Sequence, residues 1–188
     1  MQKLIELSDC ADSGFYLDDH QKLHEVLKRR ERNYKKTFLL GVSFALLDFA
    51  KQFYSSLSHT IVMETGGMKG RRKEMVRDEL HAQLKRNLGI KDIQSEYGMT
   101  ELLSQAYAKT DGRFHCPPWM KVFVRHPNNP MGVQEHGTGC LNIIDLANKN
   151  SCAFIATDDL AKVYPDGSFE VLGRLDTSDI RGCNLMVS

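Results

Sequence analysis

The stretch Glu96-Tyr97-Gly98-Met99-Thr100-Glu101 is the one from which the fold and function of this chain are best inferred. It follows a predicted strand at 92–95 and precedes a short segment at 102–106. An aromatic ring, a glycine, a hydroxyl and a carboxylate therefore come together where the chain leaves a sheet. Open α/β sheets bind ligands outside the carboxyl ends of their strands. The stretch predicts a binding site, although a tight turn with an exposed glutamate explains these residues alone equally well.

Each residue of this stretch has a chemistry that suits a nucleotide. The ring of Tyr97 can stack on a flat base, and Gly98 lets a ligand approach the backbone closely. The hydroxyl of Thr100 can donate to a phosphate oxygen. The carboxylate of Glu101 can hold Mg²⁺, which prefers hard oxygen ligands.

Upstream, hydrophobic spacing predicts alternating helices and strands. The helices are expected at 20–34, 44–57 and 71–88, and the strands at 37–41, 59–64 and 92–95. Ser43 is expected to cap the second helix, and Gly89 to end the third in the left-handed conformation. This alternation predicts a parallel α/β sheet across residues 37–96.

Two further upstream features have alternative interpretations. Thr65-Gly66-Gly67 follows a strand and predicts either a βα loop that binds a ligand or an ordinary turn that connects a strand to a helix. It is not a P-loop, because the GxxxxGK[ST] pattern is absent. The basic run at 28–36 is either a phosphate-binding patch or a solvated helix face. We favour the solvated face, because Glu25 and Glu31 break up the positive charge.

Downstream of Tyr107 the pattern changes to short β runs. They are expected at 119–125, 139–144, 153–156, 160–164 and 168–172, with a loop at 127–132 and a hairpin turn at 164–168. The predicted fold class is therefore α/β, a parallel βαβ sheet segment followed by a smaller antiparallel β subdomain. The expected parts are a helical lead-in (1–36), an α/β nucleotide-binding part (37–110) and an antiparallel β part with a hinge-like C-terminus (111–188).

Composition excludes several classes of protein. The 188 residues carry a net charge of +1, which gives no global field for nucleic acid. No apolar run approaches the length of a membrane span. The five cysteines form no CxxC pair, so we expect free thiols in a cytoplasmic protein rather than a zinc site.

A polar constellation ends the β part. Thr157-Asp158-Asp159-Leu160 is expected to close one strand, and Gly173-Arg174-Leu175-Asp176 to close the hairpin. A carboxylate at this place can accept two hydrogen bonds from a ribose diol, and Arg174 can reach a ribose or phosphate oxygen. A hairpin capped by surface charges is the alternative.

The order and spacing of these segments resemble the adenylate-forming (ANL) superfamily. Tyr97–Glu101 matches its YGxTE motif, and residues 157–160 resemble its TGDL motif with Asp158 in place of the glycine. Asp166-Gly167 followed by residues 173–176 matches its DG…GRxD hinge region. Within the superfamily, residues 63–74, 95–102 and 179–185 are most similar to the long-chain acyl-protein synthetases, the LuxE-like family.

This resemblance implies a two-step reaction. A fatty acid or other carboxylic acid attacks the α-phosphate of ATP to give acyl-AMP, and a cysteine thiol then takes the acyl group as a thioester. Cys183 has the position of the family's acceptor cysteine, although a small packing residue is an equally good interpretation. An acyl reductase is the implied protein partner.

The same resemblance implies roles for individual residues. Gly66 and Gly67 would lie beside adenine, Tyr97 would stack on it, and Asp159 would hold the ribose. Thr100 would contact phosphate, Glu101 would hold Mg²⁺, and Arg174 would bind ribose or phosphate oxygens.

Two departures from the superfamily pattern predict that this chain is less active than a complete enzyme of the superfamily. No Ser/Thr/Gly-rich phosphate loop precedes residue 35, and no domain with a catalytic lysine follows the hinge motif. The LuxE-like proteins are themselves short at the second place, so it is the upstream departure that indicates truncation. We therefore expect an incomplete enzyme of weak or no activity. The alternative is a non-catalytic module that binds a nucleotide or acyl group or docks on a reductase. A nucleic-acid patch at 69–73 is a third, less favoured interpretation.

Overall fold

The chain divides into two compact units, Met1–Ile93 and Gln94–Ser188. The computed structural model describes residues 1–66 and 77–175. Strand β3 (Ile93–Tyr97) pairs antiparallel with a short strand, β4 (Ala106–Ala108), which was not predicted. Within the two described ranges, no helix has the length and apolar character needed to cross a membrane.

The first unit contains a parallel βαβ segment. The elements of the unit up to residue 88 are α1 (Gln2–Leu7), α2 (His20–Arg32), β1 (Thr37–Val42), α3 (Ser43–Gln52), β2 (Thr60–Thr65) and α4 (Arg77–Leu88). Strands β1 and β2 are parallel, with Thr37 opposite Thr60 and Val42 opposite Thr65, and α3 connects them. The predicted parallel segment is therefore confirmed.

Apolar side chains from three helices and two strands form the core of this unit. The buried members of this cluster are Leu27, Leu46, Leu47, Phe49, Ala50, Leu57, Val62, Leu80, Leu84, Leu88 and Ile93. Burying one such Leu, Val, Ile or Phe side chain stabilises the fold by about 1.5–3 kcal/mol. The helices are thus stabilised by packing their periodic apolar faces against the sheet.

Helix α3 is shorter than predicted. It ends at Gln52, and Phe53 takes an extended conformation (φ −128°, ψ 95°). Beyond it, the N–H groups of Ser55 and Leu57 donate to the carbonyls of Asn87 and Leu88 at the end of α4, 3.0 and 2.9 Å away. The expectation of a helix to residue 57 was wrong because these N–H groups satisfy the open carbonyls of another helix end.

The end of α4 follows the prediction. Gly89 has φ +63°, and a Cβ built on it would lie 2.9 Å from the carbonyl oxygen of Ser55. Glycine is favoured here both by its dihedral angle and by the close approach of the chain. Residues 71–76 of the predicted helix lie outside the described residues.

Within the predicted helical lead-in, no helix was expected before residue 20, but α1 occupies Gln2–Leu7. It is only six residues long and buries none of them. Arg29 and Arg30 of α2 both contact Asp12, and Arg30 Nε donates to Thr37 Oγ1 over 2.9 Å. The Arg30 side chain is only 20% exposed, so the interpretation of the basic run as a solvated face is wrong at this residue.

The second unit contains a five-stranded antiparallel sheet, which confirms the predicted fold class. Its strands are β5 (Met120–His126), β6 (Asn129–Gln134), β7 (Gly137–Asp145), β8 (Phe154–Val163) and β9 (Phe169–Arg174), in the order β6-β5-β7-β8-β9. A 3₁₀ turn, Leu146–Asn148, follows β7. One face of the sheet buries Val124, Leu141 and Phe169 together with Phe114 and Tyr97.

Two local expectations in this unit were wrong. The loop predicted at 127–132 is largely strand β6, because β6 is the edge of the sheet and an edge strand tolerates a proline without an N–H. Thr157–Leu160 does not close a strand but lies inside β8, next to register shifts at Cys140/Asn142 and Leu160/Ala161. Such irregularities accommodate polar residues in a ladder.

The predicted hairpin turn at 164–168 is confirmed. The N–H of Tyr164 donates to the carbonyl of Ser168 over 2.8 Å, and Gly167 has φ +81°. Asp166 Oδ1 accepts hydrogen bonds from the N–H and the hydroxyl of Ser168, at 3.0 and 2.6 Å. The turn therefore sets the register of β8 and β9.

Candidate functional site

Tyr97 is the last residue of β3 and joins two parts of the candidate site in the second unit. Its ring packs edge-to-face on Phe114 and Phe169, with centroids 5.9 and 5.4 Å away. Its hydroxyl donates to Asp159 Oδ2 over 2.7 Å. Burial and this hydrogen bond raise the pKa of Tyr97 far above its usual range, so the phenol remains a neutral donor. Stacking of Tyr97 on adenine stays a prediction.

Asp159 and Arg174 face each other across the last two strands. The β8–β9 register pairs Asp159 directly with Arg174 and Leu160 with Gly173. Asp159 is half-buried, and its N–H donates to Thr157 Oγ1 over 3.2 Å. Arg174 is exposed. The structure therefore brings together Tyr97, Asp159 and Arg174, three of the residues expected to contact a nucleotide.

Asp158, where the family motif has glycine, lies beside an arginine whose side chain is only 13% exposed. Arg125 Nη1 donates to the carbonyl of Thr157 over 2.8 Å and to Asn142 Oδ1 over 3.2 Å. Arg125 Nη2 lies 3.9 Å from Asp158 Oδ1, and the Asp158 side chain is half exposed. Arg125 therefore holds the backbone just before Asp159. Sequence reasoning missed Arg125, because it lies in an ordinary strand pattern 32 residues upstream of Thr157.

Thr100 and Glu101 lie in an exposed turn that follows Tyr97 and the exposed Gly98. The N–H of Leu102 donates to the carbonyl of Met99 over 3.1 Å and closes this turn. Both polar side chains are thus exposed, which fits the predicted binding site and the alternative of a tight turn with an exposed glutamate equally well. Their contacts with phosphate and Mg²⁺ stay predictions.

Sequence reasoning also missed the residues that anchor this turn. Asp145 is completely buried, and its Oδ2 accepts from the N–H groups of Leu103 and Ser104, at 3.0 and 2.9 Å. Asn148 Nδ2 donates to the carbonyl of Glu101 over 2.7 Å. A weak signal was present, because an aspartate before a short helical segment is a common N-cap.

A second anchored turn lies in the first unit, at Gly66. Ser43 was predicted to cap α3, and this prediction was wrong. Ser43 is the first residue of the helix, and Val42 is at the cap position. The Ser43 hydroxyl instead contacts Glu64 Oε2 at 2.7 Å and the carbonyl of Gly66 at 2.9 Å. Gly66 has φ +69°, so the predicted glycine turn after β2 does require a glycine. Its contact with adenine stays a prediction.

Glu64 is buried beside two side chains of α4. Its Oε1 lies 3.8 Å from Arg77 Nε and 3.6 Å from His81 Nε2. Only 5% of the Glu64 side chain is exposed. A buried carboxylate needs such partners, so this cluster ties the end of β2 to helices α3 and α4.

Two predicted site residues, Gly67 and Cys183, lie outside the described residues, as do the segments 69–73 and 179–185. The described cysteines, Cys10, Cys116, Cys140 and Cys152, are free. Burial raises the pKa of Cys116 to about 11, and burial also raises that of Cys140. These two thiols are therefore poor nucleophiles at neutral pH.

The chemistry of Glu101 fits the magnesium ion that the family resemblance implies. Across residues 1–66 and 77–175, no three His, Cys, Asp or Glu side chains are grouped to hold a metal. Mg²⁺ in nucleotide sites typically takes one or two carboxylates and completes its shell with phosphate and water oxygens. One exposed carboxylate, such as that of Glu101, is enough for this arrangement.

Comparison with solved structures supports the same fold. ATP-bound MatB from Rhodopseudomonas palustris superposes with a TM-score of 0.63 at 17% identity, over 86% of this chain and 34% of that one. The AMP complex of O-succinylbenzoate coenzyme A synthetase (MenE) from Bacillus subtilis gives 0.53 at 19% identity, over 82% and 34%. The fold expected from the resemblance to adenylate-forming enzymes is confirmed. The chain spans about a third of the length of these proteins.

Sequence comparisons narrow the family. A long-chain-fatty-acid–luciferin-component ligase from Aliivibrio fischeri is 28% identical over 107 residues, which is 53% of this chain and 28% of that enzyme. The family model described as "Acyl-protein synthetase, LuxE" matches residues 21–188. This match includes the Tyr97, Asp159 and Arg174 cluster and the anchored turn at Thr100. The chain therefore belongs to the LuxE family of acyl-protein synthetases.

Proposed function

We propose that this chain provides the nucleotide-binding part of an ATP-dependent acyl-protein synthetase. The observation that carries the proposal is the cluster of Tyr97, Asp159 and Arg174, which joins two motifs that lie far apart in the sequence. The Asp159 carboxylate, which the Tyr97 hydroxyl holds in place, can accept hydrogen bonds from ribose hydroxyls. The neighbouring Arg174 guanidinium can bind a phosphate next to that ribose. Membership of the LuxE family supports this assignment.

The proposed reaction has two steps. An oxygen of a fatty acid or other carboxylate attacks the α-phosphorus of ATP, the bond to pyrophosphate breaks, and acyl-AMP forms. A cysteine thiolate then attacks the acyl carbonyl carbon, and the C–O bond to AMP breaks to leave a thioester. Bound Mg²⁺ would neutralise phosphate charge.

The residues have distinct proposed roles in this reaction. Asp159 accepts the ribose hydroxyls, and Tyr97 fixes the Asp159 carboxylate while its ring contacts the base. Thr100 donates to phosphate, Glu101 binds Mg²⁺, and Arg174 contacts ribose or phosphate oxygens. We also propose, on the family resemblance alone, that Gly66 and Gly67 contact adenine.

Cys183 is the proposed acyl acceptor, and an acyl reductase is the proposed partner. The position of Cys183 in the family motif supports this choice, and the raised pKa values of Cys116 and Cys140 disfavour these two thiols. Arg181 would favour the thiolate electrostatically.

Titration with AMP tests the nucleotide site directly. In backbone amide NMR spectra of the full chain, AMP should shift the signals of Tyr97, Asp159 and Arg174. An Asp159→Ala variant should lose this response. An Asp111→Ala variant, in which an exposed residue of a loop is changed, should keep it. If millimolar AMP shifts none of these signals, the proposal is wrong for this chain.

Intact-mass spectrometry tests the acyl step. After incubation with ATP, Mg²⁺ and a fatty acid, we expect a small fraction of hydroxylamine-sensitive adduct that Cys183→Ala removes. Cys152→Ala, a change of an exposed cysteine, is the matched control and should keep the adduct. AMP binding without any adduct would favour the alternative, a non-catalytic nucleotide-binding or reductase-docking module.

A further inference from the structure

The turn that carries Thr100 and Glu101 has exposed side chains on a fixed backbone. Glu101 is exposed, whereas Leu102 and Ser104, on either side of Leu103, are buried. A ligand-binding side chain on a loop needs such support, because an error of about 1 Å in its position can cost a hundredfold in rate.

Asp145, at the end of β7, holds the downstream side of this turn. Besides the N–H groups of Leu103 and Ser104, it contacts the Ser104 hydroxyl, which donates to Oδ1 over 2.7 Å. Trp119 Nε1 donates to the same hydroxyl over 2.9 Å. Asp145 is fully buried. The position of residues 103–104 is therefore set by directed hydrogen bonds to a buried carboxylate and not by apolar contact alone.

Asn148 holds the upstream side. Its Nδ2 bridges the carbonyl of Glu101 and that of Cys152, at 2.7 and 2.9 Å. Asp145 also fixes Asn148, because Asp145 Oδ1 accepts from the N–H of Ala147 over 3.1 Å at the start of the 3₁₀ turn. One aspartate therefore anchors both the downstream side of the turn and the segment that anchors its upstream side.

We propose that Asp145 and Asn148 are positioning residues for Glu101, which hold its carboxylate where it meets the Mg²⁺ of bound ATP. The inference rests on the proposed function. Neither residue touches the nucleotide; both act through the backbone of residues 101–104. Groups that orient a metal ligand commonly contribute 10–100-fold to metal affinity or activity, so we expect an effect of about this size.

Asp166 provides a matched control within the same unit. It accepts hydrogen bonds from the N–H and hydroxyl of Ser168, as Asp145 does from those of Ser104, but it lies in the β8–β9 turn. An Asp166→Asn change therefore removes comparable chemistry from a turn that is outside the YGxTE motif. Asp166 is exposed whereas Asp145 is buried, so this control tests only the loss of an aspartate-to-serine contact, and the AMP measurement reports a general loss of stability in this unit.

The experiment measures two ligands by calorimetry on the full chain. ATP with Mg²⁺ reports on the metal-dependent contact, and AMP with EDTA reports on the adenosine contact alone. For Asp145→Asn and Asn148→Ala we expect ATP–Mg²⁺ affinity to fall about tenfold or more, with AMP affinity within about twofold of wild type. Asp166→Asn should change neither. If Asp145→Asn does not fold, Ser104→Ala replaces it, because it removes the bonds of the Ser104 hydroxyl to Asp145 and Trp119 and keeps both N–H contacts with Asp145.

The outcomes separate the two proposals. Equal loss of affinity for both ligands, or no loss for either, would overturn the positioning role, whereas the proposal that the wild-type chain binds nucleotide would stand. Loss of AMP affinity alone would also contradict it. If the wild-type chain binds neither ligand, the proposed function fails and the positioning role fails with it.

Discussion

The hydroxyl of Tyr97 donates to the carboxylate of Asp159 over 2.7 Å, although 62 residues separate them in the sequence. The bond links the end of β3 to the middle of β8. It brings two separate motifs together, because the hydroxyl that orients the carboxylate of one motif belongs to the other. Because burial and Asp159 raise the pKa of Tyr97, the bond should persist across the neutral pH range.

Tyr97→Phe should remove this bond and keep the ring contacts with Phe114 and Phe169. We expect the free energy of unfolding to fall by about 1–3 kcal/mol and AMP affinity to weaken, because Asp159 loses its fixed orientation. Urea denaturation and calorimetry measure the two effects. Tyr164→Phe is the control, since Tyr164 also donates to a carboxylate, that of Glu170, over 2.9 Å. Equal AMP affinity in the two variants would contradict the role of Tyr97.

The contribution of Asp145 to stability should depend on pH. Burial alone would raise its pKa, but hydrogen bonds from Ser104, Leu103 and Ala147 outweigh burial and lower the pKa below its ordinary 3.8. A lowered folded-state pKa contributes stability above the unfolded value and loses it as the pH falls through the folded value. The stability difference between wild type and Asp145→Asn should therefore be constant near neutrality and shrink below about pH 4.

Urea denaturation of both proteins over a pH series measures this difference. Asn148→Ala is the control, because it breaks the same anchor without removing a titratable group. A difference for Asp145→Asn that grows on acidification would have the wrong sign and would exclude an ionised Asp145 as the anchor.

Ser43→Ala should destabilise the first unit. Ser43 is 2% exposed, and its hydroxyl contacts both Glu64 and the Gly66 carbonyl. Removing a partner from buried polar groups costs about 1–3 kcal/mol. Ser8→Ala is the control, since the Ser8 hydroxyl is exposed and bonds only locally, to Ile5. Thermal unfolding followed by circular dichroism would show the difference; equal midpoints would argue against the anchor at Gly66.

Gly139→Ala should be more disruptive than its size suggests. A Cβ on Gly139 would lie 2.4 Å from the carbonyl oxygen of Arg125 in the paired strand, so β5 and β7 would have to separate. Overpacking of this kind costs about 1–3 kcal/mol or more. Gly14→Ala is the control, because no atom lies within 4 Å of the added methyl. A fully stable Gly139→Ala protein would show that the two strands can move apart freely.

Arg125 and Asp158 should differ in importance, although they form an ion pair. Arg125→Met removes hydrogen bonds to Thr157 and Asn142 and should cost about 1–3 kcal/mol. Asp158→Asn removes only a 3.9 Å pair at a half-exposed carboxylate, which should cost about 1 kcal/mol or less. Urea denaturation compares the two. Equal losses would mean that the ion pair, and not the backbone contact, is the important interaction.

Sequence periodicity predicted the elements that bury an apolar face. Helix α2 and strands β1 and β2 appear close to their expected bounds, since their spacing follows from the burial of one face. Helix α1 was missed because it buries nothing. The strand through Thr157–Leu160 was missed because aspartates are depleted in strands, whereas here the register shifts and Arg125 support them.

The candidate site was predicted only in part, for a related reason. Motifs identified the residues with exposed or ligand-like chemistry, such as Thr100 and Glu101. The residues that hold them, Asp145 and Asn148, act through contacts across more than 40 residues of sequence. Local sequence patterns carry no information about such long-range hydrogen bonds, so only the three-dimensional fold reveals them.

The indole of Trp119 donates to the hydroxyl of Ser104, and the sequence contains no other tryptophan. Its fluorescence therefore comes from the anchor of the Glu101 turn and needs no added label. In the described part of the chain, all α-helices lie in the first unit, so ellipticity at the helical wavelength follows that unit instead. Emission from one side chain and ellipticity from the helices thus give each unit its own spectroscopic signal during unfolding.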